Sequence, residues 1–151
     1  MIRPFKNTDR KKLLEIFKLN TPKYFNPNEL NDFKEYLKGH SNTYLTIEHE
    51  GKIVGGAGYR VEESDKSGRI TWIFLHPGYS GLGLGTQAMA YCLTILKTQP
   101  KVEKLVVTTS QLAYKFFERF GYKLVKKEKD HWGPGLDLYV MEQMVNERIC
   151  F

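Results

Sequence analysis

Residues 70–90 read ITWIFLHPGYSGLGLGTQAMA, and the fold is decided by how they are read. Ile70–Leu75 is apolar and β-branched or aromatic, which predicts a strand buried on both faces. Pro77 cannot donate to a ladder and stops it. Gly81, Gly83 and Gly85 follow at alternate positions. Ala88, Cys92, Ile95 and Leu96 then fall at i, i+4, i+7 and i+8, so the spacing predicts a helix that opens within the glycines. A glycine loop at a helix start leaves backbone N–H groups unpaired and unobstructed, and the helix dipole adds positive potential. Together these predict a phosphate-binding site.

Spacing narrows the ligand. A Walker loop ends in Gly-Lys followed by Ser or Thr, whereas here Gly85 runs directly into Thr86. A dinucleotide fingerprint needs a third glycine where Thr86 stands, and it needs a tight turn. Here Leu75–Ser80 separate Phe74 from Gly81. A third pattern fits better. Leu75-His76-Pro77-Gly78-Tyr79-Ser80-Gly81-Leu82-Gly83-Leu84-Gly85 resembles motif A of the GNAT superfamily, the acyl-CoA-dependent N-acyltransferases. That motif runs strand-x-Pro-x-x-Arg/Gln-Gly-x-Gly-x-Gly/Ala, and Ser80 replaces its usual Arg or Gln. The resemblance implies that the loop N–H groups bind the pyrophosphate of coenzyme A.

The remaining chain sets the frame. A length of 151 residues suits one domain, 1–151, able to bury roughly 68–70% of its unfolded surface. Basic residues near the start have no apolar segment behind them, so a secretory signal is not expected, and no run is long enough to span a membrane. Cys92 in a helix pattern and Cys150 at the tail suit reduced thiols in a cytoplasm; no metal-ligand spacing exists. The net charge is +6. Its local cluster, Lys123, Lys126, Lys127 and Lys129, falls on or beside a predicted strand, where lysines protect an edge. No nucleic-acid motif accompanies it, and positive potential would also draw a polyanion such as coenzyme A.

In chain order, the pattern predicts a strand at Ile2–Phe5. Next comes a helix capped by Thr8 with Leu13, Leu14 and Phe17 inward. Asn26-Pro27 opens a second helix with Leu30, Phe33 and Leu37 inward and Gly39 as its stop. Strands Thr43–His49 and Lys52–Glu62 turn at Glu50-Gly51, and Gly55, Gly56 and Gly58 inside the second mark a bulge or a close approach. Ser64–Gly68 reads as a turn into Ile70–Leu75. After the loop helix, Glu103–Thr108 would pair in parallel with Ile70–Leu75 by a right-handed crossover. Ser110 caps a short helix with Ala113, Phe116, Phe117 and Phe120 on one face, ended by Gly121. Strands Tyr122–Glu128 and Leu136–Met144 follow, joined by a loop, Asp130–Gly135.

Ser110–Tyr122 resembles the family's motif B, Asn-x-x-Ala-x-x-Phe-Tyr-x-x-x-Gly-Phe, with Ala113, Phe116, Gly121 and Tyr122 in place. The order β-α-α-β-β-β-α-β-α-β-β is that of the GNAT fold, so the expected class is α/β, an α+β mixed sheet. It is mostly antiparallel with a parallel pair at the cofactor site. The resemblance implies acetyl-CoA as co-substrate, held by Leu75, His76, Ser80, Gly81, Leu82, Gly83, Leu84, Gly85, Thr86, Ser110 and Phe117. It implies that Tyr24, Phe25 and Trp132 border the acceptor, a primary amine of a small molecule or peptide; plain packing of the two aromatics in the first link is the alternative.

Aminolysis needs something to take the amine proton, because an alkylamine with a pKa of about 10.4 arrives protonated. The oxyanion can be met by a backbone N–H, which the family uses near Leu75. Family members often protonate the leaving thiolate from a motif B tyrosine, and that position is Phe117. Tyr114, on the adjoining turn, is a substitute or a packing residue. Base candidates are Glu62, Glu63, His76, Asp130 and His131, with a relay through water beside them. Glu62 and Glu63 also read as solvated strand ends, and His76 as an orienter of its own backbone. Competing readings are a non-catalytic acyl-CoA-binding or sensor module and an interaction domain without cofactor. A homodimer through the terminal strands and Ile149-Cys150-Phe151 is a further expectation.

Overall fold

In the computed structural model, which describes residues 1–145, the elements are β1 (Ile2–Pro4), α1 (Arg10–Leu19), α2 (Glu29–Gly39), β2 (Tyr44–His49), β3 (Lys52–Glu62), β4 (Ser67–Leu75), α3 (Leu84–Lys97), β5 (Lys104–Thr109), α4 (Tyr114–Glu118), β6 (Lys123–Gly133) and β7 (Leu136–Met144). This is the order expected from the sequence. The seven strands among the described residues form a sheet in the order β1-β2-β3-β4-β5-β7-β6. β4 and β5 pair in parallel, while β1–β2, β2–β3, β5–β7 and β6–β7 are antiparallel. Ile149-Cys150-Phe151, considered for a contact with a second copy, lie outside the described residues. Two compact units emerge: Met1–Tyr59 with Ile70–Leu93, and Arg60–Arg69 with Thr94 onward; β3, β4 and α3 run through both.

In the first unit, α1 follows a 3-10 turn at Asn7–Asp9. Thr8, expected to cap the helix, is exposed. Asp9 holds the turn instead, accepting the Lys6 N–H at 2.8 Å, because its carboxylate is also gripped by Arg3 and by the Thr46 hydroxyl. Leu13, Ile16 and Phe17 are the buried residues of the helix; Leu14, expected inward, is half-buried because Ile16 takes the core position. α2 starts at Glu29, with Asn28 rather than Asn26 at its N-cap, because Asn26 closes the turn before it: its side chain accepts the Asn28 N–H, and the Glu29 carboxylate accepts the Asn26 N–H in return. Phe17 stacks between Phe25 and Phe33, at 4.5 and 5.1 Å between ring centroids. Tyr36, Tyr44 and Phe74 complete this core, with Trp72 packed against it.

The glycines of β3 mark close approaches. A Cβ at Gly55 would lie 2.3 Å from the Phe74 carbonyl oxygen, and one at Gly56 2.4 Å from the Tyr44 hydroxyl. At Gly58 it would meet the Thr71 hydroxyl at 2.4 Å. The partners explain the crowding. At Gly55 it is the β4 backbone that approaches, and at Gly56 and Gly58 side chains from β2, α2 and β4; Trp72, in the middle of β4, adopts a φ of +44°.

The second unit corrects two expectations. The parallel ladder takes in Ser67–Arg69 against Lys104–Val106, not Ile70–Leu75. Ser67-Gly68, read as part of a turn, belong to β4 because Asp65 holds the turn earlier. Its carboxylate accepts the Ser67 hydroxyl at 2.6 Å and the Arg69 guanidinium at 2.8 Å. Second, the expected loop Asp130–Gly135 shrinks to Pro134-Gly135, because β6 continues to Gly133. Asp130, at φ +55°, accepts the Gly135 N–H at 2.7 Å. Gln111 braces the same tip, accepting the Asp137 N–H and donating to the Gly135 carbonyl. β6 is the last strand in the sheet order, and its lysines lie on that edge.

Candidate functional site

β4 ends at Leu75, and the peptide linking Leu75 to His76 is fixed at both ends. The Leu75 carbonyl accepts from the Asn20 side-chain amide at 3.0 Å, and the His76 N–H donates to the Val54 carbonyl at 2.7 Å. Pro77–Tyr79 then form a single 3-10 turn. The His76 ring caps it, with Nδ1 accepting the Gly78 N–H at 2.9 Å and Tyr79 standing edge-on to the imidazole. Accepting at Nδ1 puts the proton of the neutral ring on Nε2, so no lone pair is left for a base. Ser80 points its hydroxyl back to the Pro77 carbonyl, at 3.3 Å.

Gly81 and Gly83 have φ of +81° and +77°, in the left-handed region that glycine enters without strain. A Cβ at either would meet nothing within 4 Å, so the loop opens outward and no side chain fills it. α3 starts at Leu84. Its first turn leaves the N–H groups of Leu84, Gly85 and Thr86 without intrahelical acceptors, and Gln87 is the first to close, onto the Gly83 carbonyl at 3.0 Å. The buried side of the helix anchors this end: Leu84, Ala88, Met89 and Cys92 are all inside. Leu82 stands exposed at the rim. Ser80 to Thr86 carry no cationic side chain, so what the loop itself offers an anion is N–H groups and the helix dipole.

The other sequence-derived residues fall in several places. Phe25 is packed into the aromatic core beside Phe17, Trp72 and Phe74, whereas Tyr24 is exposed with the Lys23 ammonium 5.0 Å from its ring centre. Ser110 is buried and its carbonyl accepts the Ala113 and Tyr114 N–H groups, which starts α4. Phe117 is buried against Phe116 and Tyr122, and Tyr114 lies 5.0 Å from the ring of Tyr139. The Trp132 indole donates to the Thr109 carbonyl at 3.0 Å.

The remaining base candidates all have partners. Bonds from Arg60 and Ser64 hold the Glu62 carboxyl below its ordinary range, as suits a solvated anion. Glu63 pairs with Lys101, His131 with Glu128 at 3.3 Å, and Asp130 serves the hairpin tip. Cys92 is buried, and burial pushes its thiol up to about 12, so it supplies no nucleophile near neutral pH. Among the described residues no group of three or more His, Cys, Asp or Glu could hold a metal ion, and no helix is long and apolar enough to cross a membrane. Asn20 and Tyr44, which bond the β4 carbonyls of Leu75 and Trp72, carried no sequence signal beyond the glycines of β3.

A curated N-alpha-acetyltransferase of Sulfurisphaera tokodaii is 26% identical over 157 aligned positions, covering 93% of this chain and 90% of that protein. Among solved structures, the ribosomal-protein-alanine N-acetyltransferase from Brucella melitensis superposes with a TM-score of 0.76 at 20% identity, covering 95% of this chain and 99% of that one. An aminoglycoside 6'-N-acetyltransferase complexed with coenzyme A gives 0.75 at 12% identity, over 96% and 97%. The acetyltransferase (GNAT) family model matches residues 10–122, from α1 through α4, and on that match the chain belongs to the GNAT acetyltransferases.

Proposed function

We propose that the chain acts as one domain that transfers an acetyl group from acetyl-CoA to a primary amine of a small molecule or peptide, by direct attack within a ternary complex. The observation that carries this reading is the open loop of Gly81 and Gly83 at the start of α3, with N–H groups of the first helical turn unspent. A diphosphate suits that corner, because the free N–H groups and the dipole at the start of a helix favour an anion. Acetyl-CoA supplies the activated acyl group as a thioester. On this reading Gly81, Leu82, Gly83, Leu84, Gly85 and Thr86 grip the diphosphate beside Ser80, and the Leu75 backbone orients the acyl arm.

No side chain is assigned as base. The partners already held by His76, Glu62, Glu63, Asp130 and His131 support loss of the amine proton to water. Phe117 carries no hydroxyl, so the leaving thiolate, with a pKa of about 8.5 if it resembles cysteine, also takes its proton from water or departs as the anion. The α-amine of a peptide is the acceptor to try first, given the N-alpha-acetyltransferase of Sulfurisphaera tokodaii. A cytoplasmic location belongs to this reading, and the free thiol of Cys92 suits it.

The test is release of free thiol from acetyl-CoA over a panel of amines, amino acids and peptides with free N-termini. Thiol release that requires one acceptor class supports the proposal. Binding of acetyl-CoA with no release across the panel would leave an acyl-CoA-binding module instead.

A further inference from the structure

The geometry points to Asn20 as a positioning residue that ties the link between α1 and α2 to the end of β4, so that the acceptor side and the acyl-arm side of the site move as one. The inference rests on the function proposed above, in which the Leu75 backbone orients the acyl arm, and on the family resemblance, which implies that Tyr24 and Phe25 border the acceptor.

Asn20 is buried at the end of α1, and four groups converge on it. Its side-chain amide donates to the Ile16 carbonyl at 3.0 Å and to the Leu75 carbonyl at 3.0 Å, which spends both amide hydrogens. Its backbone carbonyl accepts the N–H groups of Tyr24 at 2.9 Å and Phe25 at 3.2 Å. One residue therefore ends the helix, folds the link back on itself and holds the last carbonyl of β4.

Position on β4 makes the contact with Leu75 matter. The next N–H in the chain, that of His76, is bound to Val54, so the Leu75–His76 peptide plane is pinned from two sides immediately before the 3-10 turn and the glycine loop. A rotation of that plane would change where the Leu75 backbone aims. Asn20 supplies one of its two pins, and the same residue fixes Tyr24 and Phe25. A cap needed only for α1 would not need the bond to Leu75, 55 residues away in sequence.

The experiment compares wild type with Asn20→Ala. Asn20→Asp, the same shape without the donors, supplies the comparison should the alanine variant not fold. Two readouts are taken on each: amide hydrogen exchange, and steady-state kinetics beside coenzyme A affinity by calorimetry. Exchange is expected to speed at least tenfold both in residues 24–25 and in residues 75–76. The kcat/KM for the acceptor is expected to fall at least tenfold, with coenzyme A affinity within twofold, because the loop N–H groups do not depend on Asn20. Faster exchange in one segment alone would overturn the coupling. Coenzyme A affinity falling in step with kcat/KM would make Asn20 a general structural residue and overturn the positioning role. If wild type itself releases no thiol with any amine, the functional reading fails, and hydrogen exchange alone decides whether the two segments are coupled.

Discussion

The Tyr44 hydroxyl donates to the Trp72 carbonyl at 2.7 Å, and Trp72 is the one residue of β4 with a positive φ, +44°. A bulky side chain in that region is strained and persists only where its surroundings over-determine it. Tyr44 is fully buried, and burial also holds its phenol protonated well above the ordinary range, so the donor is permanent. Tyr44→Phe keeps the ring and deletes the bond, leaving the part-buried Trp72 carbonyl without that donor. It is expected to cost about 1–3 kcal/mol, read as a lower urea midpoint at unchanged slope.

The same packing makes Gly56 intolerant. A Cβ there would sit 2.4 Å from the Tyr44 oxygen and 2.7 Å from its ring. Gly56→Ala should therefore destabilise by about 1–3 kcal/mol through overpacking. Combining it with Tyr44→Phe should cost less than the sum, since both act on one contact. Strict additivity in a double-mutant cycle would disprove the shared cause.

Much of this was legible before the fold was known, and the failures have physical reasons. The order of the elements along the chain and the opening of α3 within the glycines follow from periodicity and from proline and glycine punctuation. Gly55, Gly56 and Gly58 signalled a close approach, but the partners, Tyr44 and the kinked β4, lie far off in sequence. Trp72's conformation left no local trace, because a tertiary hydrogen bond sets it. Ser67-Gly68 and Asp130–Gly133 looked like turns by composition. Hydrogen bonds accepted by Asp65 and Asp130, and one donated by Gln111, hold those residues extended or place the turn elsewhere. Phe25 was legible as an aromatic in a link, and its stacking on Phe17 was not.

Gly83→Arg separates ligand binding from folding. The added side chain leaves the backbone into open space, so the fold should survive with a loss of about 1 kcal/mol from the positive φ. The arginine would lie across the N–H groups of the first helical turn. Acetyl-CoA binding by calorimetry is expected to fall at least a hundredfold with the circular dichroism spectrum intact. Unchanged affinity would refute the diphosphate assignment.

Acid should weaken the first unit through Asp9. Burial alone would raise this carboxyl, but bonds from Arg3, the Lys6 N–H and the Thr46 hydroxyl outweigh it and hold it below its ordinary 3.8. The folded value is thus lower than the unfolded one. Its stabilisation is complete above pH 3.8 and is lost as pH falls through the folded value. Asp9→Asn should cost about 2 kcal/mol at pH 7, and the gap to wild type should narrow below pH 4. A gap independent of pH would show that shape, not charge, is what Asp9 supplies.

Direct transfer without an acyl-enzyme predicts that Cys92 is dispensable. Its thiol is buried, raised to about 12, and contacts the Gly58 carbonyl at 4.0 Å. Cys92→Ala should leave kcat within threefold while lowering stability by about 1 kcal/mol. In native protein at pH 8, peptide mapping after alkylation should find Cys92 unmodified. A mutant without transfer activity yet fully folded would reopen the covalent route.

The proton question has a kinetic answer. If water takes the proton from the amine, the rising limb of kcat/KM against pH belongs to the acceptor and not to the protein. Two acceptors whose amines differ in pKa, a peptide α-amine at about 8 and an alkylamine at about 10.4, should then give limbs displaced by about two pH units. A single limb common to both acceptors would instead report an ionising side chain. His131 would be the first to replace, since its Nδ1 faces Glu128 and leaves Nε2 outside that pair. His131→Gln would abolish a shared limb if the imidazole is the base. With water as acceptor, both profiles should keep their separate midpoints in that variant, and only the level of the plateau should change.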